Sequence, residues 1–311
     1  MHPALHNRFG GSKAANYHGD MGFLSPRVIN AVRRWSMVAV VSVWFGAFPS
    51  VAADFPEDTA SFDVFLRIGQ SNMKGRGQLG EESATDPRVW MFPLNGDRWM
   101  PARDPLHAAG GKDLIDGSDN AGVGPGMSFA RAVLGENPRA VIGLVPAAVG
   151  GSWIALWLPG HRKGLYEKVV RRVRLALDAP VEPKPRLRGV LWLQGESDST
   201  AARHVVYQKN LLRLVDDLRT EFGDPQLPFI ACTIGSFIEP HPRFDHTKQI
   251  NEILLGLPGW RDATATVDAR DLTGHIGDRL HYDTGAAEEI GRRYAGALGG
   301  LEVKPSQASA P

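Results

Sequence analysis

The chain has 311 residues, enough for one large α/β domain or two small ones and ample to bury a core. Hydrophobic residues make up 43% and charged residues 22% of it, which is ordinary for a globular protein. Lysine and arginine number 35 against 34 acidic residues, so no net charge attracts nucleic acid or an anionic membrane. The single cysteine, Cys232, excludes an internal disulfide and is predicted to be a buried structural thiol.

The first part of the chain, residues 1–53, is predicted to be a signal peptide and leader outside the fold. An arginine pair at 33–34 precedes the apolar run 37–48, and small residues follow at 51–53. This order is typical of a secretory signal peptide, and an uncleaved anchor is the alternative. The long polar flank leaves Met21 as an alternative start. With one cysteine and no disulfide framework, we expect a bacterial periplasmic or extracellular protein without stable membrane association after cleavage.

Between the leader and a flexible tail at 304–311, strand-like and helix-like segments alternate. Strands are predicted at 62–68, 140–145, 189–193, 228–234 and 263–267, and helices at 127–134, 163–177, 207–222, 244–255 and 285–298. Nearly continuous apolar strands that alternate with helices indicate a mostly parallel sheet covered on both faces. The sequence therefore predicts one α/β domain over 54–303, a three-layer α/β/α sandwich.

Residues 75–125 interrupt this alternation. They are rich in Gly, Asp and Pro and are too long for an ordinary connection. Asn95-Gly96 stands between two β-rich runs, 88–92 and 98–100, a pattern typical of a hairpin. We interpret the stretch as a loop and hairpin insertion near the functional site rather than as a second domain.

Polar or glycine-rich clusters follow three of the predicted strands, and another precedes the last helix. They occupy 69–73, 146–153, 194–198 and 278–282. Ligands of open α/β sheets bind beyond the carboxyl ends of the strands, so we expect these clusters to meet at one edge.

These clusters contain the residue types of nucleophilic acyl transfer. A serine hydroxyl such as that of Ser71 needs a base beside it, and His281 can be that base. Asp278, three residues before His281, can fix the imidazole tautomer and orientation. His275 is the alternative base, although its surroundings are typical of a loop.

The oxyanion of such a reaction needs preorganised donors. The candidates are the Ser71 N–H, a backbone N–H at the Gly150-Gly151 turn, where glycine lets the main chain come close, and the Gln194 side-chain amide.

Four blocks, in this order, resemble those of SGNH hydrolases. They are Gly-Gln-Ser-Asn-Met at 69–73, Gly-Gly-Ser-x-Ile at 150–154, Trp-x-Gln-Gly-Glu-Ser-Asp at 192–198 and Asp-x-x-His at 278–281. They are most similar to the sialate O-acetylesterase-like branch, carbohydrate esterase family six, and the resemblance covers roughly residues 62–298.

The resemblance implies a flavodoxin-like SGNH fold and a serine esterase that removes acetyl groups from xylan, sialic acid or a related glycan. It implies that Ser71 is the nucleophile, that His281 is the base and that Asp278 orients it. Gly151 is favoured over Gly150 as an oxyanion donor, and Gln194 matches this branch, where many SGNH enzymes have Asn. The resemblance implies no metal and no cofactor.

Four further residues, Gln70, Asn72, Glu196 and Trp153, are predicted to support the site or contact substrate. Glu196 and Asp198 could instead form a glycosidase pair, but a role for Glu196 in holding Gln194 is preferred. Trp153 could stack on a sugar, or it could pack in the core.

Two other functions remain open. A lipase or thioesterase could use the same site, although the polar stretch 75–125 offers no extended apolar lid. A non-catalytic carbohydrate-binding protein on the same scaffold is the second alternative. The intact Ser71, Asp278 and His281 argue against it.

Overall fold

The computed structural model describes residues 55–56, 58–80, 85–94, 96–107, 120–137 and 139–302. The strands are β1 (Ser61–Gly69), β2 (Val89–Met91), β3 (Met100–Pro101), β4 (Ala140–Pro146), β5 (Pro185–Leu193), β6 (Phe229–Cys232) and β7 (Thr264–Val267). The helices are α1 (Ser71–Lys74), α2 (Gly126–Glu136), α3 (Leu165–Leu177), α4 (His204–Phe222), α5 (Thr247–Gly256) and α6 (Thr284–Glu302). The predicted leader at 1–53 and tail at 304–311 lie outside the described residues.

The strands form one seven-stranded sheet in the order β3-β2-β4-β1-β5-β6-β7. All neighbouring pairs are parallel except β2 with β3. Strand β1 lies between β4 and β5, and its apolar residues are buried on both faces, as the near-continuous apolar run predicts. The carboxyl ends of β1, β4 and β5 therefore lie side by side, and the predicted clusters follow them.

Helices cover both faces of the sheet. Val64 and Leu66 of β1 point to a core completed by apolar residues of α3, α4 and α5. Phe65 points to the other face, where it packs on α2 and α6 and meets the Phe129 ring edge-on at 4.8 Å between centroids. Each such buried side chain contributes about 1.5–3 kcal/mol of transfer free energy. The predicted three-layer α/β/α architecture is thus confirmed.

The stretch interpreted as an insertion supplies two strands of the sheet. Strand β2 pairs in parallel with β4 and antiparallel with β3, so a hairpin forms, but as the sheet edge rather than as an addition outside it. The reason is that the apolar run beginning at Val89 is buried against β4. Both strands are shorter than the predicted runs, since β2 ends at Met91 and β3 begins at Met100.

None of the helices in the described part of the chain has both the length and the apolar character of a membrane span.

Candidate active site

Ser71 lies immediately after the central strand, at the start of the one-turn helix α1. Gly69, at the end of β1, has φ +137°, and a Cβ there would come within 2.1 Å of the Leu193 carbonyl oxygen. The Gln70 N–H donates to that same oxygen at 3.0 Å. A glycine is therefore required for the tight turn that brings Ser71 above the ends of β1 and β5.

His281 and Asp278 complete a hydrogen-bonded chain with Ser71. His281 Nε2 lies 2.8 Å from Ser71 Oγ, and His281 Nδ1 lies 2.6 Å from Asp278 Oδ2. With Nδ1–H donated to the carboxylate, Nε2 can accept the serine proton. The turn between the two residues passes through Arg279 in the left-handed region, φ 53°, which folds the aspartate back onto the imidazole.

The Asp278 carboxylate is held ionised by its own loop. Partial burial raises its pKa, but donation from the His281 N–H, the His281 side chain and the Leu280 N–H outweighs burial and lowers the pKa below its ordinary value. Both N–H groups lie 2.9 Å from Asp278 Oδ1. Asp278 therefore stays negative and favours an imidazolium as it forms on His281.

Asn72 joins the serine turn to the histidine loop. Its Nδ2 donates to the Leu280 carbonyl at 3.1 Å, and its Oδ1 accepts from the Tyr282 N–H at 3.1 Å, so it contacts both neighbours of His281. Asn72 Nδ2 also donates to Glu196, which is fully buried. Burial raises the pKa of Glu196. Asn72 thereby sets the distance between the Ser71 and His281 backbones.

Two main-chain groups are suited to bind an oxyanion. Ser71 and Gly151 line the same cavity, and neither N–H has an acceptor within the described part of the chain. Gly151 has φ +66°, and a Cβ there would meet nothing within 4 Å, so the backbone is open on that side. Gly150 also lines the cavity.

Gln194 does not lie where an oxyanion donor is expected. It is completely buried, and it is absent from the described lining of the cavity. Its Nε2 faces three internal acceptors, Asp198 Oδ2 at 2.7 Å, Ser152 O at 3.1 Å and Gln70 Oε1 at 3.2 Å. Two amide protons cannot serve these and an oxyanion as well, so the structure does not support the predicted role of Gln194.

Glu196 likewise contacts Asn72 rather than Gln194 in the described hydrogen bonds. The carboxylate that holds Gln194 is Asp198, which also accepts from the Ile154 N–H at 2.8 Å. Burial raises the pKa of Asp198 to about 6, although these two donors oppose the rise. Sequence reasoning missed this role of Asp198, and the only signal for it was its i+4 spacing from Gln194.

The two tryptophans after the glycine turn have different surroundings. Trp157 is buried, donates to Ser152 Oγ at 3.1 Å and packs edge-on against Trp192, so it belongs to the core. Trp153 lines the cavity, and the guanidinium of Arg203 lies 4.6 Å from the centre of its ring. Trp153 is thus the one available to a ligand.

His275, the alternative base, shapes the histidine loop instead. Its Nδ1 accepts from the Gly277 N–H at 2.9 Å and the Arg279 N–H at 3.4 Å. The His275 backbone forms an isolated antiparallel β-bridge with Tyr282. Ser71 contacts His281 and not His275.

The cavity in front of Ser71 measures about 600 Å³, within the range of small-ligand sites and large enough for a sugar residue. Its wall contains Arg76, Arg203 and Arg243, and none of the described lining residues is acidic. No group of three or more His, Cys, Asp or Glu that could hold a metal occurs among the residues that the structure describes.

Comparison with known proteins gives a family match. The model of a family described as carbohydrate esterase, sialic acid-specific acetylesterase, matches residues 61–299. A probable carbohydrate esterase of Arabidopsis thaliana is 34% identical over 266 residues, which are 80% of this chain and 93% of that protein.

Solved structures agree in fold. An X-ray structure of an Arabidopsis thaliana protein has a TM-score of 0.65 at 32% identity, covering 76% of this chain and 98% of that one. NanS has a TM-score of 0.62 at 17% identity over 81% of this chain and 99% of its own. A carbohydrate acetylesterase from Xanthomonas citri has a TM-score of 0.56 at 22% identity, covering 77% of this chain and 56% of that chain.

Proposed function

We propose that this chain, which belongs to the sialic acid-specific acetylesterase family of carbohydrate esterases, removes O-acetyl groups from carbohydrate through an acetyl-enzyme intermediate on Ser71. The observation that carries the proposal is the hydrogen-bonded chain from Ser71 Oγ through His281 to Asp278 at the cavity wall. A hydroxyl with a base 2.8 Å away, itself oriented by a carboxylate, is the arrangement that makes serine nucleophilic.

The reaction has two steps. Ser71 Oγ attacks the acetyl carbonyl carbon while His281 Nε2 takes the hydroxyl proton, and the carbonyl oxygen becomes an oxyanion. The bond to the sugar oxygen then breaks, and that oxygen leaves with the proton from His281. Water, activated by the same imidazole, hydrolyses the acetyl-serine and releases acetate. None of these steps requires a cofactor.

The cavity wall favours a substrate with an anionic group. Arg203 and Arg243 line it, and none of the described lining residues is acidic, so this part of the wall is positive. Guanidinium groups pair well with carboxylates, and Arg203 is pre-oriented by its stack on Trp153 and by donation to the Ser197 carbonyl at 2.7 Å. We therefore favour an O-acetylated acidic sugar over a neutral glycan such as acetylated xylan.

The test is acetate release from an O-acetylated sialic acid, from acetylated xylan and from p-nitrophenyl acetate by the wild type and the Ser71→Ala variant. We expect release that disappears in Ser71→Ala, with the highest kcat/KM on the acidic sugar. Wild-type rates in Ser71→Ala would refute the serine mechanism.

Arg243 provides a direct test of charge recognition. Arg243→Gln should raise KM for the acidic sugar several-fold and leave p-nitrophenyl acetate hydrolysis nearly unchanged, because only the first substrate carries the charge. Arg213→Gln is the matched control, since Arg213 lies on α4 and pairs with Asp217 away from the cavity. Equal KM changes on both substrates would argue against an anionic substrate.

The proposal extends to location. The order of charged flank, apolar run and small residues before Asp54 supports export and cleavage, which would leave a mature enzyme that begins near Asp54, with its esterase domain over 54–303 and an acetylated carbohydrate as its partner.

A further inference from the structure

Two histidines join the chain segments that carry two arginines of the cavity wall. The imidazoles of His204 and His246 form a histidine stack, with ring centres 4.0 Å apart and planes at 26°. His204 directly follows Arg203, and His246 comes three residues after Arg243. The main chains also meet here, because the His246 N–H donates to the Ser199 carbonyl at 3.2 Å. The histidine stack is thus a side-chain contact between the two arginine-bearing segments.

Both arginines are held over aromatic rings of the same cavity. The guanidinium carbon of Arg203 lies 4.6 Å from the Trp153 ring centre, and that of Arg243 lies 5.7 Å from the Phe244 ring centre. All four of these residues line the cavity. Arg243 and Phe244 belong to the same short loop as His246, so the histidine stack fixes where this loop lies relative to Arg203. It thereby sets the distance between the two cations that an anionic substrate would meet.

The tautomers of the histidine stack follow from its hydrogen bonds. His204 Nδ1 lies 3.0 Å from the Thr200 carbonyl oxygen, and His246 Nδ1 lies 2.8 Å from Asp245 Oδ1. A carbonyl and a carboxylate can only accept, so Nδ1 carries the hydrogen in both rings. Nε2 is therefore the nitrogen that takes up a further proton in each ring.

One carboxylate contacts the histidine stack in the described structure, so its charge balances one added proton but not two. That carboxylate belongs to Asp245, whose pKa is lowered chiefly by the hydrogen bond from the adjacent imidazole. The other charged groups of these segments are the two cavity arginines, which disfavour further positive charge, and Lys248, which pairs with Glu239 at 3.5 Å. Each ring also lies at the N-terminal end of a helix, α4 or α5, where the helix dipole disfavours a cation. Protonation of both rings would therefore place two repelling charges 4.0 Å apart.

We propose that His204 and His246 are positioning residues for an acidic sugar: their neutral stack sets the spacing of Arg203 and Arg243, and protonation of both rings weakens substrate binding in acid. This inference rests on the proposed function and on the acidic substrate favoured there. Imidazoles change charge within about pH 5–8, so binding is compared at about pH 7.5 and about pH 5.

The pH dependence is measured on Ser71→Ala, which binds an O-acetylated sialic acid without hydrolysing it. We expect its Kd to be roughly fivefold higher at about pH 5, the scale of the repulsion between two solvated charges about 4 Å apart. His246→Phe in the same background keeps a ring in the stack but takes up no proton, so its Kd should change much less. His281 is present in both proteins, and its effect cancels in the comparison. His161→Phe, outside the described cavity lining, is the matched control and should keep the full pH dependence.

The positioning role is tested by removing the ring. His246→Ala should raise the Kd for the acidic sugar several-fold at about pH 7.5, and His246→Phe should restore it, because stacking rather than charge holds the loop at this pH. His204→Phe provides a second variant with a stack that cannot be protonated, and thermal unfolding establishes that each variant is folded.

Three results would overturn the inference and leave the proposed serine mechanism standing. They are an unchanged Kd in His246→Ala, the full pH dependence in both phenylalanine variants, and no binding of the acidic sugar by Ser71→Ala at either pH. Hydrolysis of p-nitrophenyl acetate by Ser71→Ala at the wild-type rate would instead remove the proposed function itself.

Discussion

The two halves of the active site differ in how their polar residues are used. In the serine–histidine half, which comprises Ser71, Asn72, Asp278 and His281, the Ser71, His281 and Asp278 side chains bond to one another, and Asn72 bonds to the main chain on either side of His281. In the oxyanion half, which comprises Gln70, Gly151, Gln194 and Asp198, the three polar side chains hydrogen-bond to one another, and Gly151 lines the cavity.

The difference shows that a polar residue in a motif can serve either the reaction or the residue that performs it. His281 hydrogen-bonds to the Ser71 hydroxyl, whereas Gln194 is fully buried and hydrogen-bonds to Gln70. Losses in the first half should therefore affect chemistry directly. Losses in the second half should be transmitted through a neighbour, or should appear mainly as changes in stability.

The largest effect is expected in the serine–histidine half. His281→Ala removes the only base that contacts Ser71 in the described structure and should lower kcat by roughly 10⁴ or more. His161→Ala is a control, because His161 does not line the cavity in the described residues. Steady-state acetate release measures both. A loss below about tenfold in His281→Ala would mean that another group activates the serine.

Asn72→Ala should have an intermediate effect. It removes the bonds to Leu280 and Tyr282 that fix the histidine loop, so kcat should fall by roughly 10–10² while KM changes little. Glu196→Gln, which keeps an oxygen to accept from Asn72, should cost much less. A loss in Asn72→Ala as large as that in His281→Ala would show that Asn72 does more than position the histidine loop.

The smallest effect on chemistry, and a distinct effect on stability, is expected at Asp198. Its pKa is about 6 in the folded protein against an ordinary 3.8, so the folded state binds a proton that the unfolded state has released between these values. The free energy of unfolding therefore falls as pH rises from about 4 to about 6, by about 2–3 kcal/mol from this group. Asp198→Asn has no carboxyl group at this position, so its unfolding free energy should lack this dependence on pH.

Urea unfolding at about pH 4.5 and about pH 7 would measure the Asp198 contribution. The wild type should lose unfolding free energy between the two pH values through Asp198, and Asp198→Asn should not. The variant should therefore be more stable relative to the wild type at about pH 7 than at about pH 4.5. Parallel profiles for the two proteins would show that Asp198 does not titrate as its burial implies.

Much of the fold could be predicted from the sequence because its strands are apolar and its helices periodic. The long helix beginning at His204 and the central strand Ser61–Gly69 each lie within three residues of the predicted bounds. The hairpin of Val89–Met91 and Met100–Pro101 was predicted, but not that it joins the main sheet, because such short runs pair with the sheet only through tertiary contacts.

The residue types of the site could be predicted from the sequence, but the orientation of their side chains could not. The Asp278–His281 spacing fixes a contact within one turn, so the sequence contains the pairing that the structure has. The direction of the Gln194 amide depends instead on the Ser152 carbonyl, which a distant segment supplies. No local pattern records which way an amide points, so the inward orientation of Gln194 could not be predicted from the sequence.

The central claim is that Ser71 carries the acetyl group during turnover. The most direct test is acid quenching of the enzyme during hydrolysis of p-nitrophenyl acetate, followed by mass spectrometry of the peptide that contains residues 69–73. The account predicts acetylation on Ser71 that is absent in Ser71→Ala and decays when substrate is exhausted. Acetate release without any acetylated peptide, retained in Ser71→Ala, would contradict it.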